Sequence, residues 1–300
     1  MSAAKSGNLN TKSAGQQFKY SSAAKPNSIM KLFFLIALLS FVNTVSSESN
    51  AVTVTYVANE GVLIQSGSKQ VLIDALHKPY LSEYLATPQK ILHTMMANRP
   101  PFEDIELLLV SHIHGDHFNA ELVGEYLQVS KTTRLFTTLQ ARSQLANTFS
   151  GFANITDKTQ VIRYHAEMDT SFSAKGIQVR MVRIAHGGGR GSAMQNVGHI
   201  VELGGMKFLH IGDPSYGKID FERLQLFRDK IDVAILPFWF LTAAKGREII
   251  DQLIKPAYLI AVHVPPKDVN SITREIAKYY PEAVVFGKPN EQQHYNNDID

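Results

Sequence analysis

Three histidines and an aspartate fall within the six residues His112-Ile113-His114-Gly115-Asp116-His117. Imidazole nitrogens and carboxylate oxygens are the donors with which a thiolate-free site binds a divalent cation. His112 and His114 alternate past Ile113, so an extended or turning backbone lets both face one ion. Gly115 permits a sharp turn that sends Asp116 and His117 toward a second position nearby. The bland alternative is a polar loop that happens to be rich in histidine. It explains neither the spacing nor the apolar run Leu107-Leu108-Leu109-Val110 before Ser111, which reads as a buried strand.

Three later stretches repeat this design, an apolar strand ending in a residue able to bind metal. Arg183-Ile184-Ala185-His186 opens a loop containing Gly187, Gly188, Gly189 and Gly191. Phe208-Leu209-His210-Ile211-Gly212-Asp213 reaches a carboxylate before Pro214, and Leu259-Ile260-Ala261-Val262-His263 stops short of Pro265-Pro266. Taken singly, a histidine after a strand is more often structural. Together with the first cluster these positions give seven candidate ligands, His112, His114, Asp116, His117, His186, Asp213 and His263, enough for two ions.

The elements that must position these residues are legible in the hydrophobic periodicity. Val52 to Val57, Gly61 to Gln65 and Gln70 to Asp74 read as an antiparallel meander of three strands. Tyr80 to Asn98 reads as a helix broken by Arg99-Pro100-Pro101, and Phe118 to Val129 as a helix with apolar residues at helical spacing. Strands are expected at 135–137, 160–164 and 177–184, with a helix at 139–147 between the first two. Val197 to Leu203 and Met206 to Ile211 form a hairpin across Gly204-Gly205. Helices at 220–230, 243–254 and 269–280 then alternate with strands at 233–236, 258–262 and 283–286. No linker, repeat or second core interrupts this pattern, which fits one layered α/β domain from about 50 to 295 with a polar tail at 296–300.

The N-terminus is different. Lys5, Lys12, Lys19, Lys25 and Lys31 supply all the charge in the first 31 residues. From Glu48 onward, 25 basic residues face 27 acidic ones, so the formal +3 of the chain belongs to its leader. Residues 1–29 have the composition of a disordered segment. Lys31, the apolar run Leu32 to Val42 and the small residues after it then read as a secretory signal, with cleavage expected near Val45 to Ser49. The run is short for a membrane span, which needs about 20 residues. Residues 1–49 are therefore expected to lie outside the fold. The domain is expected to be exported, periplasmic or secreted, with anchoring through residues 32–42 as the alternative and the only membrane contact. A near-neutral domain lacks the basic surface that nucleic-acid binding calls for. The absence of cysteine excludes disulfides, a thiolate nucleophile and a Cys-ligated zinc site.

The series His112-Ile113-His114-Gly115-Asp116-His117, His186, Asp213 and His263 resembles the metallo-β-lactamase-fold hydrolases. Val71-Leu72-Ile73-Asp74, Asn196-Val197-Gly198 and the Gly212-Asp213 turn extend the resemblance over about 52–290. It implies a four-layer αβ/βα sandwich with metals at one edge between two sheets. It assigns His112, His114 and His186 to a first metal, Asp116, His117 and His263 to a second, and Asp213 as a bridge. It also implies hydrolysis, because no residue of the dinuclear set is missing.

A set of imidazoles and carboxylates suits two zinc ions, with manganese or iron as alternatives. Two ions about 3.5–4 Å apart can share a hydroxide that Asp116 orients. The expected reaction is cleavage of an ester, lactone or related acyl bond of a small substrate. The alternatives are a phosphodiesterase- or phospholipase-type hydrolase and a non-catalytic metal-binding protein. Weaker claims attach to four further places. Asp74 either supports the site or forms a turn, and His210 plays a structural or supporting part. Arg190 binds an anionic group or sits in a solvated loop, and Phe238-Trp239-Phe240 form a substrate wall or pack in the core.

Overall fold

A computed structural model describes residues 51–187 and 193–296. The expected leader, Arg190 with its neighbouring glycines, and residues 297–300 of the expected tail lie outside the described residues.

The chain opens with the antiparallel meander β1 (Ala51–Ala58), β2 (Gly61–Ser66) and β3 (Lys69–Ile73). Strands β4 (Leu107–Leu109), β5 (Arg134–Thr138) and β6 (Thr159–Ile162) follow in parallel. The last strand, β14 (Gln292–Asn296), returns antiparallel to β1, giving the order β14-β1-β2-β3-β4-β5-β6. The second sheet has the same plan. Antiparallel β7 (Asp169–Ala174), β8 (Ile177–Arg183), β9 (Val197–Leu203) and β10 (Met206–His210) are continued by parallel β11 (Val233–Pro237), β12 (Tyr258–Val262) and β13 (Val284–Val285).

Alternation along the strands dictates the layers. Leu107 and Leu109 point between the sheets with Val54, Ile64, Val71, Met181, Phe208, Val233 and Ile235. Leu108 points the other way, with Leu63 and Leu72, onto helices α1 (Gln89–Met96), α2 (Ala120–Val129) and α3 (Leu139–Thr148). On the far side Leu209, Ala234, Leu236 and Ala261 meet α4 (Lys218–Leu224), α5 (Phe238–Thr242), α6 (Ala244–Ile249) and α7 (Val269–Ile276). The result is the expected αβ/βα sandwich. Among the described residues no helix is long and apolar enough to cross a membrane.

Several local expectations change. The helix expected over 80–98 shrinks to α1, because Pro88 holds an extended backbone (φ −59°, ψ 139°) and biases Thr87 the same way. Thr87 Oγ1 donates to the Ala75 carbonyl at 2.7 Å, so Tyr80 to Pro88 form an anchored loop. The helix expected over 220–230 breaks at Gln225, whose φ is +52°. Strand β14 forms where the sequence shows no strand pattern, since only Tyr295 among its residues is buried. Strand β7 is equally polar, with Phe172 its one large apolar residue.

Candidate metal centre

The backbone leaves β4 at Leu109, and its next two residues are fixed before the histidines begin. Asp74, buried at the end of β3 with φ +44°, accepts from the Ser111 amide at 2.8 Å and from Ser111 Oγ at 2.5 Å. Ser111 Oγ also lies 2.9 Å from His112 Nδ1, which turns His112 Nε2 inward. The amides of His117 and Phe118 both donate to the His114 carbonyl, closing the turn at Gly115. His117 Nδ1 then returns to Asp74 Oδ2 at 2.9 Å, leaving its Nε2 to face the cavity. Asp116 is held from the β1–β2 turn, where Asn59 Nδ2 donates to its Oδ2 at 3.1 Å and to its carbonyl at 3.2 Å.

On the second sheet the loops after β8 and β10 pair directly. Gly187 donates to the Asp213 carbonyl, and Ser215 to that of Ala185. Buried Asn196 ties both to one frame, because its Nδ2 donates to the Ile184 and Ile211 carbonyls while its Oδ1 accepts from the Asp213 amide. Gly212 is required at φ +58°, where an added Cβ would lie 2.7 Å from Ser111 Cβ. His263 follows β12 at φ +60° and is anchored by its amide to the Asn59 carbonyl at 2.9 Å.

All seven sequence-predicted residues converge at one edge between the sheets. Asp213 Oδ2 lies 3.8 Å from His112 Nε2 and 3.9 Å from His186 Nε2, and His112 Nε2 is 3.1 Å from His114 Nδ1. Asp213 Oδ1 lies 3.5 Å from His117 Nε2 and 3.6 Å from His263 Nε2. Asp116 Oδ2 is 3.4 Å from His263 Nε2 and 3.9 Å from His117 Nε2. Tetrahedral ligands at about 2.0–2.2 Å from an ion stand roughly 3.3–3.6 Å apart, so both groups are close to what a cation requires. The buried atoms His117 Nε2, His263 Nε2 and Asp213 Oδ1 have no hydrogen-bond partner among the described residues. Buried polar atoms are rarely left so, and a cation would satisfy all three.

Electrostatics agree. Burial lowers the pKa of His112, His114 and His186, keeping them neutral donors. Burial opposes ionisation of Asp116, yet the facing His263 and His117 rings outweigh it and set its pKa to about 2. Asp213 is likewise held well below the usual carboxylate range by His117 and His263, against its burial. His117 runs the other way. Burial disfavours its charge, but the Asp213 and Asp74 carboxylates hold its pKa well above that of free histidine. The carboxylates thus draw in positive charge where a cation would be held.

Of the weaker candidates, Asp74 and His210 take supporting places. His210 Nε2 donates to the Glu60 carbonyl at 3.1 Å. The aromatic stretch divides: Phe240 is core, whereas Trp239 sits edge-on to His263 at 5.0 Å between ring centroids. Sequence reasoning missed Asn59, Tyr80, Tyr84 and Glu60. The Glu60 side chain is fully buried, 3.9 Å from His117 Nδ1 and 3.5 Å from His210 Nε2. Burial first, and then the Asp213 charge, push its pKa well above the carboxylate range.

Fold and centre together define a metal-binding αβ/βα sandwich, and comparison with known proteins agrees. The beta-lactamase superfamily domain model matches residues 69–285, and the chain belongs to that family. A UPF0173 metal-dependent hydrolase of Pyrococcus abyssi is 28% identical over 239 residues, covering 75% of this chain and 92% of that one. Its counterpart in Pyrococcus furiosus is 26% identical over 263 residues, covering 80% and 98%. Among solved structures, the metallo-beta-lactamase fold protein YhfI of Bacillus subtilis aligns with a TM-score of 0.55 at 16% identity, over 82% of this chain and 99% of that one.

Proposed function

We propose that the chain is a dinuclear metal-dependent hydrolase that cleaves an ester, lactone or related acyl bond of a small substrate. The observation that carries this reading is Asp213, which presents one carboxylate oxygen to His112 and His186 and the other to His117 and His263. His112, His114 and His186 would hold one ion, Asp116, His117 and His263 the other, with Asp213 between them. Zinc suits this donor set, and manganese or iron fits similar ones.

Such ions would supply Lewis acidity toward the substrate carbonyl and would lower the pKa of bound water toward roughly 7. The protein's own contribution is orientation and proton handling. Asp116, ionised at neutral pH and held by Asn59, accepts a hydrogen bond from the attacking water. Water adds its oxygen to the acyl carbon, the bond to the leaving oxygen breaks, and the water proton reaches that oxygen by way of Asp116. The products are an acid and an alcohol. Asp74 holds His117 by its Nδ1 and so directs Nε2 toward the place an ion would occupy. The leader supports export as the setting of this activity.

Metal content and turnover measured on the same preparation test the proposal. The substrate panel would hold lactones, esters, thioesters, β-lactams and phosphodiesters, with Asp116→Ala beside the parent. Near two ions per chain and acyl turnover that Asp116→Ala abolishes is the expected result. Turnover confined to phosphodiesters would move the reading to that class. Bound metal without turnover would make the chain a binding protein, and no uptake of metal by the folded protein would refute the centre.

A further inference from the structure

We infer that the substrate presents an apolar, planar acyl group to an aromatic wall formed by Tyr80, Tyr84 and Trp239, an inference that rests on the hydrolase reading above. The loop between β3 and α1 crosses in front of the histidine motif. The Tyr80 ring lies over His114 with centroids 6.3 Å apart and planes 19° from parallel. This approach needs Gly115, because an added Cβ there would sit 2.5 Å from Tyr80 Cδ2. Four residues on, Tyr84 meets His263 edge-on at 4.2 Å, and Trp239 meets the same imidazole at 5.0 Å. One wall therefore touches a candidate ligand of each ion.

The wall is built into the fold. Pro237 ends β11 and begins α5, which carries Trp239, and Tyr216 Oη donates to the Trp239 carbonyl at 3.2 Å. Beneath it Phe240 is buried against Tyr216 with centroids 5.2 Å apart. Surface remains for a ligand: Tyr80 is 55% and Leu81 43% exposed, while Tyr84 and Trp239 are half-buried. Ring edges and faces favour apolar and above all planar partners. The cation that begins this loop, Lys78, pairs with Glu121 at 3.2 Å.

Product acids serve as probes because both carry the carboxylate that would meet the ions. Zinc-loaded protein is titrated with phenylacetate, acetate and dimethyl phosphate by calorimetry, and Trp239, the chain's single tryptophan, reports occupancy by fluorescence. Phenylacetate is expected to bind about tenfold or more tighter than acetate, from the ring area removed from water, and to change the Trp239 emission. Tyr84→Leu and Trp239→Leu should each bring the phenylacetate-to-acetate affinity ratio toward one. A variant that binds zinc less well lowers both affinities and spares the ratio, and Tyr80→Ser tests the wall from its outer end. Equal affinities in zinc-loaded parent, or a ratio unmoved in all three variants, would overturn the wall and leave the hydrolase reading intact. Preference for dimethyl phosphate over both acids would overturn it in favour of a phosphodiester. If the parent takes up no zinc, the hydrolase reading falls and this inference with it.

Discussion

The two sheets deliver their candidate metal ligands in opposite ways. The first supplies His112, His114, Asp116 and His117 from one short loop after β4, and braces them with side-chain hydrogen bonds from Asp74 and Asn59. The second supplies His186, Asp213 and His263 from three separate strand ends. It ties the first two together through Asn196, whereas the ring nitrogens of His263 have no hydrogen bond among the described residues. The His263 ring is instead flanked by the edges of Tyr84 and Trp239. One region thus positions donors by polar bonds that fix a tautomer, the other by backbone register and ring packing. The two should therefore fail in different ways.

The largest separation is expected from Asp74→Asn. The amide keeps the size of the carboxylate but can turn a donor toward His117 Nδ1. That favours the tautomer with its proton on Nε2, where the ion would bind. Loss of such a partner costs roughly 10–100-fold in metal affinity. The proposed position of Asp116, His117 and His263 should weaken by that factor, and that of His112, His114 and His186 by less, because Asp74 reaches His112 only through Ser111. Chelator competition resolves the two. Equal weakening of both would show that Ser111 carries the change to His112 as strongly as the direct bond carries it to His117.

What the sequence disclosed follows the same division. The cluster at 112–117 is legible because its chemistry is local, and His186, Asp213 and His263 because each terminates an apolar strand. Glu60 and Asn59 were hidden, since Asn-Glu-Gly between two apolar strands reads as a solvent-facing turn. What buries that turn comes from the far sheet: His263 donates its amide to the Asn59 carbonyl, and His210 donates to that of Glu60. Tyr84 was obscured by a helical pattern that Pro88 overrides. Strand β14 was obscured because its partner β1 lies at the other end of the domain and its own residues are polar. Local donors show in a sequence, and the groups that bury or brace them over long range do not.

Acid stability sets Asp74 against His199 next. Asp74 in the first sheet has its pKa held below the usual carboxylate range, against its burial, by His117. Its stabilisation is present above the unfolded pKa of about 4 and is lost only below that pH. His199, in β9, is fully buried, and burial lowers its pKa to about 3. Unfolded, it takes up a proton below about 6.5, so between these values the unfolded state holds more protons and stability falls as pH falls. From pH 7 to 5 this one group should remove about 2 kcal/mol. Urea unfolding of metal-free protein at the two pH values measures it, and His199→Leu should flatten the difference by that amount. An unchanged difference would mean that His199 is not the group responsible.

The smallest contrast concerns the helices outside the two sheets. On the first sheet's side, Asn119 Oδ1 accepts from the Leu122 amide at 3.1 Å and Thr138 Oγ1 from that of Ala141, so α2 and α3, though not α1, begin with side-chain caps. None of α4 to α7 has such a cap. An N-cap to alanine change costs about 1 kcal/mol. Asn119→Ala should therefore lower unfolding stability by about that much without altering metal content, because the bond it removes lies beyond the turn that holds His117. Asp268→Ala, ahead of α7, should cost only the few tenths of a kcal/mol that a charge near a helix start provides. Equal losses would show that capping is not what distinguishes α2 from α7. A fall in metal content with Asn119→Ala would show instead that α2 anchors the histidine loop.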